Sequence, residues 1–253
     1  MKQDERGCIM QYYQLDGEYV EFVVSENIEK HFYAHNHVRH YIVSLVMQGS
    51  TEVFLENKKI QYCKDNIFII PPYVRHSVYQ NKDTRIASLC IGTDFIEKNT
   101  LYSAKNTIKN FLDYLYIQKA VNFEQAQIFN SNVDTIYSIY NGNKKEFDKD
   151  ISVISNRIIR HPEQELTIND LADDIFISKY HFIRKFKNCI GMTPHQFQIQ
   201  NRIRKSQKLL NDEKSVVEVS YEMGFYDQSH FDKSFYKIVG ISPTEYIHSK
   251  IIF

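Results

Sequence analysis

Residues 176–197, FISKYHFIRKFKNCIGMTPHQF, and residues 225–246, FYDQSHFDKSFYKIVGISPTEY, are two versions of one text. An offset of 49 lays Phe182 and Phe186 on Phe231 and Phe235, Gly191 on Gly240, and Thr193-Pro194 on Ser242-Pro243. A repeat this dense constrains the fold, because both copies must adopt one local structure. Each shared position has a physical meaning. Ser178 and Asp227 are helix N-caps. Two phenylalanines at i, i+4 point to one buried face. The glycine ends the helix. Ser/Thr-Pro then caps the next helix and places proline at its first position.

Upstream, TINDLADDI (Thr167–Ile175) resembles SVVEVSYEM (Ser215–Met223), but at an offset of 48, so the second copy carries one added residue between its two segments. Each upstream segment reads as a short helix capped by Thr167 or Ser215. The predicted unit is helix, tight turn, second helix, over about 166–190 and again over about 215–239: the helix-turn-helix plan.

The outward faces of the two second helices carry the chemistry. Tyr180, Ile183, Arg184 and Lys187 lie opposite Phe182 and Phe186, with Lys179 at the helix start. Gln228, Ser229, Asp232 and Lys233 share the corresponding face, with Lys237 nearby. Arginine can bond guanine O6 and N7, glutamine adenine, and aspartate cytosine N4, while tyrosine packs on a thymine methyl. Lys187, Lys205, Lys208 and Lys237 are candidates for phosphates. One charged helix face is ordinarily just solvated. Two in register, each with cap, buried Phe pair, glycine and Ser/Thr-Pro, argue for a DNA-reading surface.

Lys+Arg and Asp+Glu balance at 31 each, so no global field draws the chain onto a polyanion and binding must come from local clustering. Cys8, Cys63, Cys90 and Cys189 are far apart and form no CxxC pair, which fits reduced structural thiols in a cytosol. MKQDERGCIM has no apolar core of signal-peptide length, and no stretch approaches the ~18 apolar residues that span a bilayer. The expected location is cytoplasmic, with no membrane partner.

Residues 18–95 alternate like strands, with breaks at Gly49, at Glu56-Asn57-Lys58 and at Pro71-Pro72, predicting a β-sandwich or small barrel. Residues 104–118 then place Ile108, Phe111, Leu112, Leu115 and Tyr116 at helical spacing. Residues 123–140 do the same with Ala126, Phe129, Val133, Ile136, Tyr137 and Tyr140. Two such stripes must cover the sheet or pair with another chain. NGNKKEFDKD (141–150) is polar and reads as a linker, and 151–250 as helices. The expected class is α+β in two domains: 1–140 for sensing and dimerisation, 141–150 as linker, 151–253 for DNA binding.

Residues 151–250 resemble the DNA-binding domain of the AraC/XylS family of bacterial transcription regulators. The carrying residues are LADDI (171–175), SKYHFIRKFK (178–187), GMTPHQF (191–197), RIRKSQKLL (202–210) and YEMGFYDQSHFDKSFYKIVGISPTEY (221–246). The resemblance implies two helix-turn-helix units on one joining helix, from His195 to about Leu210. It places base contacts on Tyr180, Ile183 and Arg184 and on Gln228, Ser229, Asp232 and Lys233. It also implies RNA polymerase as a partner, a homodimer through helices 104–140, a small-molecule effector and an activating role. The family usually has glycine in the first tight turn. This chain has Phe176 there, and Gly224 in the second; a positive φ would strain Phe176.

Residues 18–95 resemble, less strongly, the cupin-type sensor barrel of many family members. HNHVRHYIVSLVMQGS (35–50) and DNIFIIPPYVRHSVYQN (65–81) stand where its two motifs fall. His35, His37 and His76 match metal-binding positions of cupin enzymes, and His40 is a fourth weak candidate. The enzyme motif expects a glutamate soon after the second histidine, where this chain has Val38, Arg39, His40 and Tyr41. The expectation is therefore no metal, no cofactor and no catalysis, with Tyr33, His35, His37 and His76 lining an effector pocket. Tyr13, Tyr41, Tyr73 and Tyr79 are further candidates for a cavity. The rival reading is a metal-dependent cupin enzyme fused to a DNA-binding domain.

Overall fold

The computed structural model describes residues 9–15, 19–55, 58–142, 148–210 and 214–253. Two compact units emerge, one of Met1–Lys144 with Ser249–Phe253, the other of Lys145–His248. Half of the predicted linker (143–147), part of the turn at Glu56-Asn57-Lys58, and Cys8 lie outside the described residues.

The first unit contains β1 (Ile9–Gln14), β2 (Val20–Glu26), β3 (Lys30–His35), β4 (His40–Gln48), β5 (Ser50–Leu55), β6 (Lys58–Cys63), β7 (Ile67–Ile70), β8 (His76–Gln80) and β9 (Arg85–Gly92). Helices α1 (Thr93–Lys98), α2 (Leu101–Ile117) and α3 (Phe123–Gly142) follow. The predicted barrel is not closed: the strands form two sheets. The larger has the order β10-β1-β2-β9-β4-β7, where β10 is Lys250–Ile252 from the chain's end; the smaller is β3-β8-β5-β6. Alternation is the same in a barrel and a sandwich, so only strand partnership decides between them. The chain passes from the larger sheet to the smaller at Gly49, whose φ is +73° and where a Cβ would stand 2.7 Å from the Asp83 carbonyl oxygen.

The outer edge of β1 is occupied by β10, in parallel, with Tyr12 opposite Lys250 and Gln14 opposite Ile252. The Phe253 amide donates to the Gln14 carbonyl at 2.8 Å, and the Phe253 ring lies 4.6 Å from that of Tyr114. The last residues, expected in the tail domain, thus complete the first unit's sheet and cover an edge that would otherwise offer unpaired backbone groups.

Two cores sandwich the larger sheet. On one face, Phe22, Val43 and Leu89 meet Ile108, Phe111, Leu115, Phe129 and Ile136. The Phe22 and Phe129 rings stand edge-on at 5.1 Å. The stripes of α2 and α3 therefore cover their own sheet, which resolves the alternatives left by the sequence. Tyr116, read as part of the stripe, is exposed. On the other face Val46, Phe68 and Ile70 pack with Val53 of the smaller sheet.

The second unit is helical: α4 (Lys149–Arg160), α5 (Ile168–Asp173), α6 (Lys179–Ile190), α7 (Pro194–Leu209), α8 (Val216–Glu222), α9 (Gln228–Val239) and α10 (Pro243–Ser249). Its core repeats like its sequence. Phe182, Phe186 and Phe197 are fully buried, with successive ring centroids 5.7 and 5.5 Å apart. Phe231, Phe235 and Tyr246 do the same at 5.6 and 5.6 Å.

Candidate nucleic-acid interface

The caps read from the sequence are formed. Ser178 accepts from the His181 amide and Asp227 from the His230 amide, while Gly191 (φ 87°) and Gly240 (φ 107°) close the helices in the left-handed region. Between α5 and α6 the Phe176 amide donates to Asp173 and the Ile177 amide to Ala172; between α8 and α9 the Gly224 amide donates to Tyr221 and the Phe225 amide to Ser220. These bonds correspond at an offset of 48. The caps Ser178 and Asp227 correspond at 49. The added residue is therefore Tyr226, and it is 89% exposed. Phe176 sits at φ 55°, the strained conformation its position implied, and is 96% exposed. The turn keeps its hydrogen bonds despite the missing glycine.

With both Phe pairs inward, the opposite faces of α6 and α9 are open. Lys179, Tyr180, Arg184 and Lys187 are exposed, Tyr180 by 84%, and Ile183 is half-buried beside them. On α9, Gln228, Ser229, Lys233 and Lys237 are exposed. Asp232 differs: it is half-buried, its Oδ1 is enclosed without a hydrogen-bond partner, and burial raises its pKa. Its Oδ2 lies 3.5 Å from the amide nitrogen of the exposed Gln228. Lys205, a phosphate candidate, instead donates to Glu163 at 2.8 Å.

A clasp inside the unit escaped the sequence reading. Gln198 and Arg202, four apart on α7, share one side of the joining helix. Gln198 donates to the Pro162 and Gln164 carbonyls at 3.1 and 2.7 Å. Arg202 donates to Pro162 at 2.7 Å, to Gln164 at 3.2 Å and to Gly224 at 2.6 Å. One guanidinium so ties the segment before α5 to the turn before α9 and fixes both units to α7. The only signal was that Arg202 opens RIRKSQKLL. At the unit's start, Asp148 caps α4 through the Ile151 amide and holds Lys185 of α6 at 2.9 Å.

In the first unit His35, His37 and His76 come together, with ring centroids 4.3 to 5.0 Å apart. His37 and His76 are buried, His35 half-buried and Tyr33 exposed. Burial first, and His35 second, push the pKa of His76 down to about 3. His40 opens β4 opposite Gly92 and is not in this group. Tyr13 and Tyr41 belong to the helix-covered core, whereas Tyr33 and Tyr79 of the smaller sheet flank His31 with ring centroids 4.7 and 6.3 Å away, and the Tyr73 amide donates to the His37 carbonyl at 2.7 Å; the five tyrosines fall into different groups.

A capped and duplicated helix-turn-helix with open polar faces defines a DNA-binding regulator of transcription. A family profile described as a helix-turn-helix domain matches residues 171–249. The probable transcriptional regulator LumQ of Photobacterium leiognathi is 22% identical over 87% of this chain and 94% of its own length. The HTH-type transcriptional regulator MtrA of Neisseria gonorrhoeae is 32% identical over 39% of this chain, which spans only a third of that protein. Among solved structures, ToxT from Vibrio cholerae O395 has a similar fold, with a TM-score of 0.59 at 11% identity, covering 91% of this chain and 98% of ToxT. Residues 171–249 form an AraC-type helix-turn-helix domain, and the protein is a DNA-binding regulator of transcription. Nothing among these relatives supports the fused-enzyme alternative. No helix among the described residues is long and apolar enough to cross a membrane.

Proposed function

We propose that the protein reads a specific DNA site by placing α6 and α9 in two successive major grooves, under control of its first unit. The supporting observation is the pair of equivalently capped helices, each with a Phe pair inward and a polar face open. In this reading Arg184 bonds guanine, Gln228 adenine and Oδ2 of Asp232 a cytosine amine; Tyr180 and Ile183 pack on thymine methyls, and Ser229 adds an adaptable hydrogen bond. Lys179, Lys187, Lys233 and Lys237 hold phosphates. Grooves on one face of the duplex recur about every 34 Å, so one protomer covers an asymmetric site of about two turns. Any bend needed to reach both costs on the order of 1–6 kcal/mol.

The first unit, cupin-like in this reading, senses a small molecule near Tyr33, His35, His37 and His76. Its differential affinity for two arrangements of the DNA-binding units across residues 141–150 is what switching requires. ToxT has been solved with an unsaturated fatty acid bound, which supports a small-molecule effector for a fold of this kind. The protein acts in the cytoplasm, without catalysis of its own, as a homodimer that activates through RNA polymerase. Exposed Ile117 and Phe123, flanking the turn between α2 and α3, support a dimer contact there.

Genome-wide mapping of bound sites, followed by footprinting of the best one, tests the reading. Two protected major grooves are expected. Arg184→Ala should weaken binding by roughly 1–3 kcal/mol and relax one base preference. Lys237→Ala should weaken all sequences alike and lower the salt slope by about one. A single protected groove, or an Arg184→Ala protein with unchanged affinity and preference, rejects the two-groove reading.

A further inference from the structure

Three imidazoles from two stretches of the chain meet at one end of the smaller sheet. His35 ends β3, His76 begins β8 directly opposite it, and His37 follows β3 by two residues. One nitrogen from each falls within 4.8 Å of the others, and among the described residues this is the one group of its kind.

The tautomers of two rings are set by the backbone. His35 Nδ1 lies 2.7 Å from the Tyr33 carbonyl oxygen, and His76 Nδ1 lies 2.9 Å from that of Val74. A carbonyl only accepts, so both Nδ1 atoms carry the proton and both Nε2 atoms carry the lone pair. A backbone carbonyl on the far nitrogen is the usual outer support of a metal-bound histidine, since it fixes the ring and raises the basicity of the ligating atom. His35 Nε2 is 3.2 Å from His37 Nε2. Two nitrogens bound tetrahedrally to Zn2+ at 2.0–2.1 Å stand about 3.3 Å apart, so one edge already has metal spacing.

The donor set narrows the ion. Three neutral nitrogens with no carboxylate do not suit Mg2+ or Ca2+, which take oxygen ligands; imidazole suits zinc, copper, nickel and iron.

We propose that His35, His37 and His76 form a divalent transition-metal site, best suited to Zn2+, with three protein ligands and a fourth position open to an exogenous ligand. Neutral ligands leave the ion's charge uncompensated, so the fourth position favours an anion such as hydroxide or a carboxylate. No reaction is assigned to the site.

The test uses the full chain, stripped with a chelator and titrated with Co2+ alone as a spectroscopic probe. One Co2+ per chain should bind, with the intense visible absorption of a tetrahedral site, and one equivalent of Zn2+ should displace it. His76 is 3% exposed, so His76→Ala can fail to fold. The half-exposed His35→Ala is the second variant, with circular dichroism and melting to verify folding. A folded His35→Ala should bind Co2+ more than about 100-fold more weakly, beyond the 10–100-fold typical of losing an outer support. His40→Ala, outside the group, should keep wild-type affinity. Absence of stoichiometric uptake by the wild type, an octahedral spectrum, or unchanged affinity in folded His35→Ala would overturn the site. Metal uptake is read without DNA, so a protein that binds its DNA but takes up no Co2+ sinks the metal site and leaves the regulator reading intact.

Discussion

Replacing Phe176 with glycine should stabilise the protein, although it removes a large aromatic side chain. Phe176 holds φ at 55°, a conformation that costs a residue with a Cβ about 1–2 kcal/mol. Its side chain is 96% exposed, so almost no burial is lost with it. Glycine removes the strain but gives back about 0.5–1 kcal/mol through its greater freedom in the unfolded chain. The expected net gain is about 0.5–1 kcal/mol. Phe176→Ala is the control. It keeps the Cβ and the strain while deleting the ring, and should change stability by less than ~0.5 kcal/mol. The mirror experiment is Gly224→Ala at the equivalent turn. There φ is +72°, and the new Cβ would stand 2.7 Å from the Glu163 carbonyl oxygen and 3.1 Å from the Arg202 guanidinium. Strain and displacement of the clasp together should cost about 2–4 kcal/mol. Urea unfolding of the full chain, followed by helical circular dichroism, reads all three. If Phe176→Gly is no more stable than Phe176→Ala, backbone strain at this turn is not the quantity that matters and the reasoning fails.

Arg202→Ala should cost about 2–4 kcal/mol, since the Pro162 and Gly224 carbonyls lose a charged donor. Arg202→Lys should recover less than half of that, because an ammonium cannot match the planar fork; an Arg202→Lys protein as stable as wild type counts against the clasp. Phe186→Ala and Phe235→Ala should each destabilise by about 3–5 kcal/mol, and intact urea midpoints would refute the buried-face assignment. Asp148 has its pKa lowered by its bond to Lys185. A depressed carboxylate contributes stability that is present above its unfolded pKa and lost as pH falls through its folded one. Asp148→Asn should therefore flatten the acid limb of the stability curve, and an unchanged limb would show that the pair contributes nothing measurable.

The caps and inward faces of the tail's helices were legible residue by residue. Caps at Thr167, Ser178, Thr193, Ser215 and Asp227 each act within three residues, and the inward Phe pairs follow from helical spacing. Even the strain at Phe176 could be read, because a second copy with glycine stood beside it. Asp232 shows where the reading stopped: periodicity put it on the open face, yet its carboxylate is half enclosed. Which oxygen is enclosed depends on neighbours that periodicity does not encode.

The sequence by itself determined the two helix-turn-helix units and the helical stripes that follow the strands, because caps, turns and amphipathic faces depend on residues a few positions apart. Only the tertiary structure decided that the strands form two sheets, that Lys250–Ile252 pairs with Tyr12–Gln14, and that Gln198 and Arg202 clasp Pro162–Gln164. Each of these joins residues separated by dozens to hundreds of positions. Their partnership follows from which edges and carbonyls the rest of the fold leaves within reach, and no local pattern carries that information.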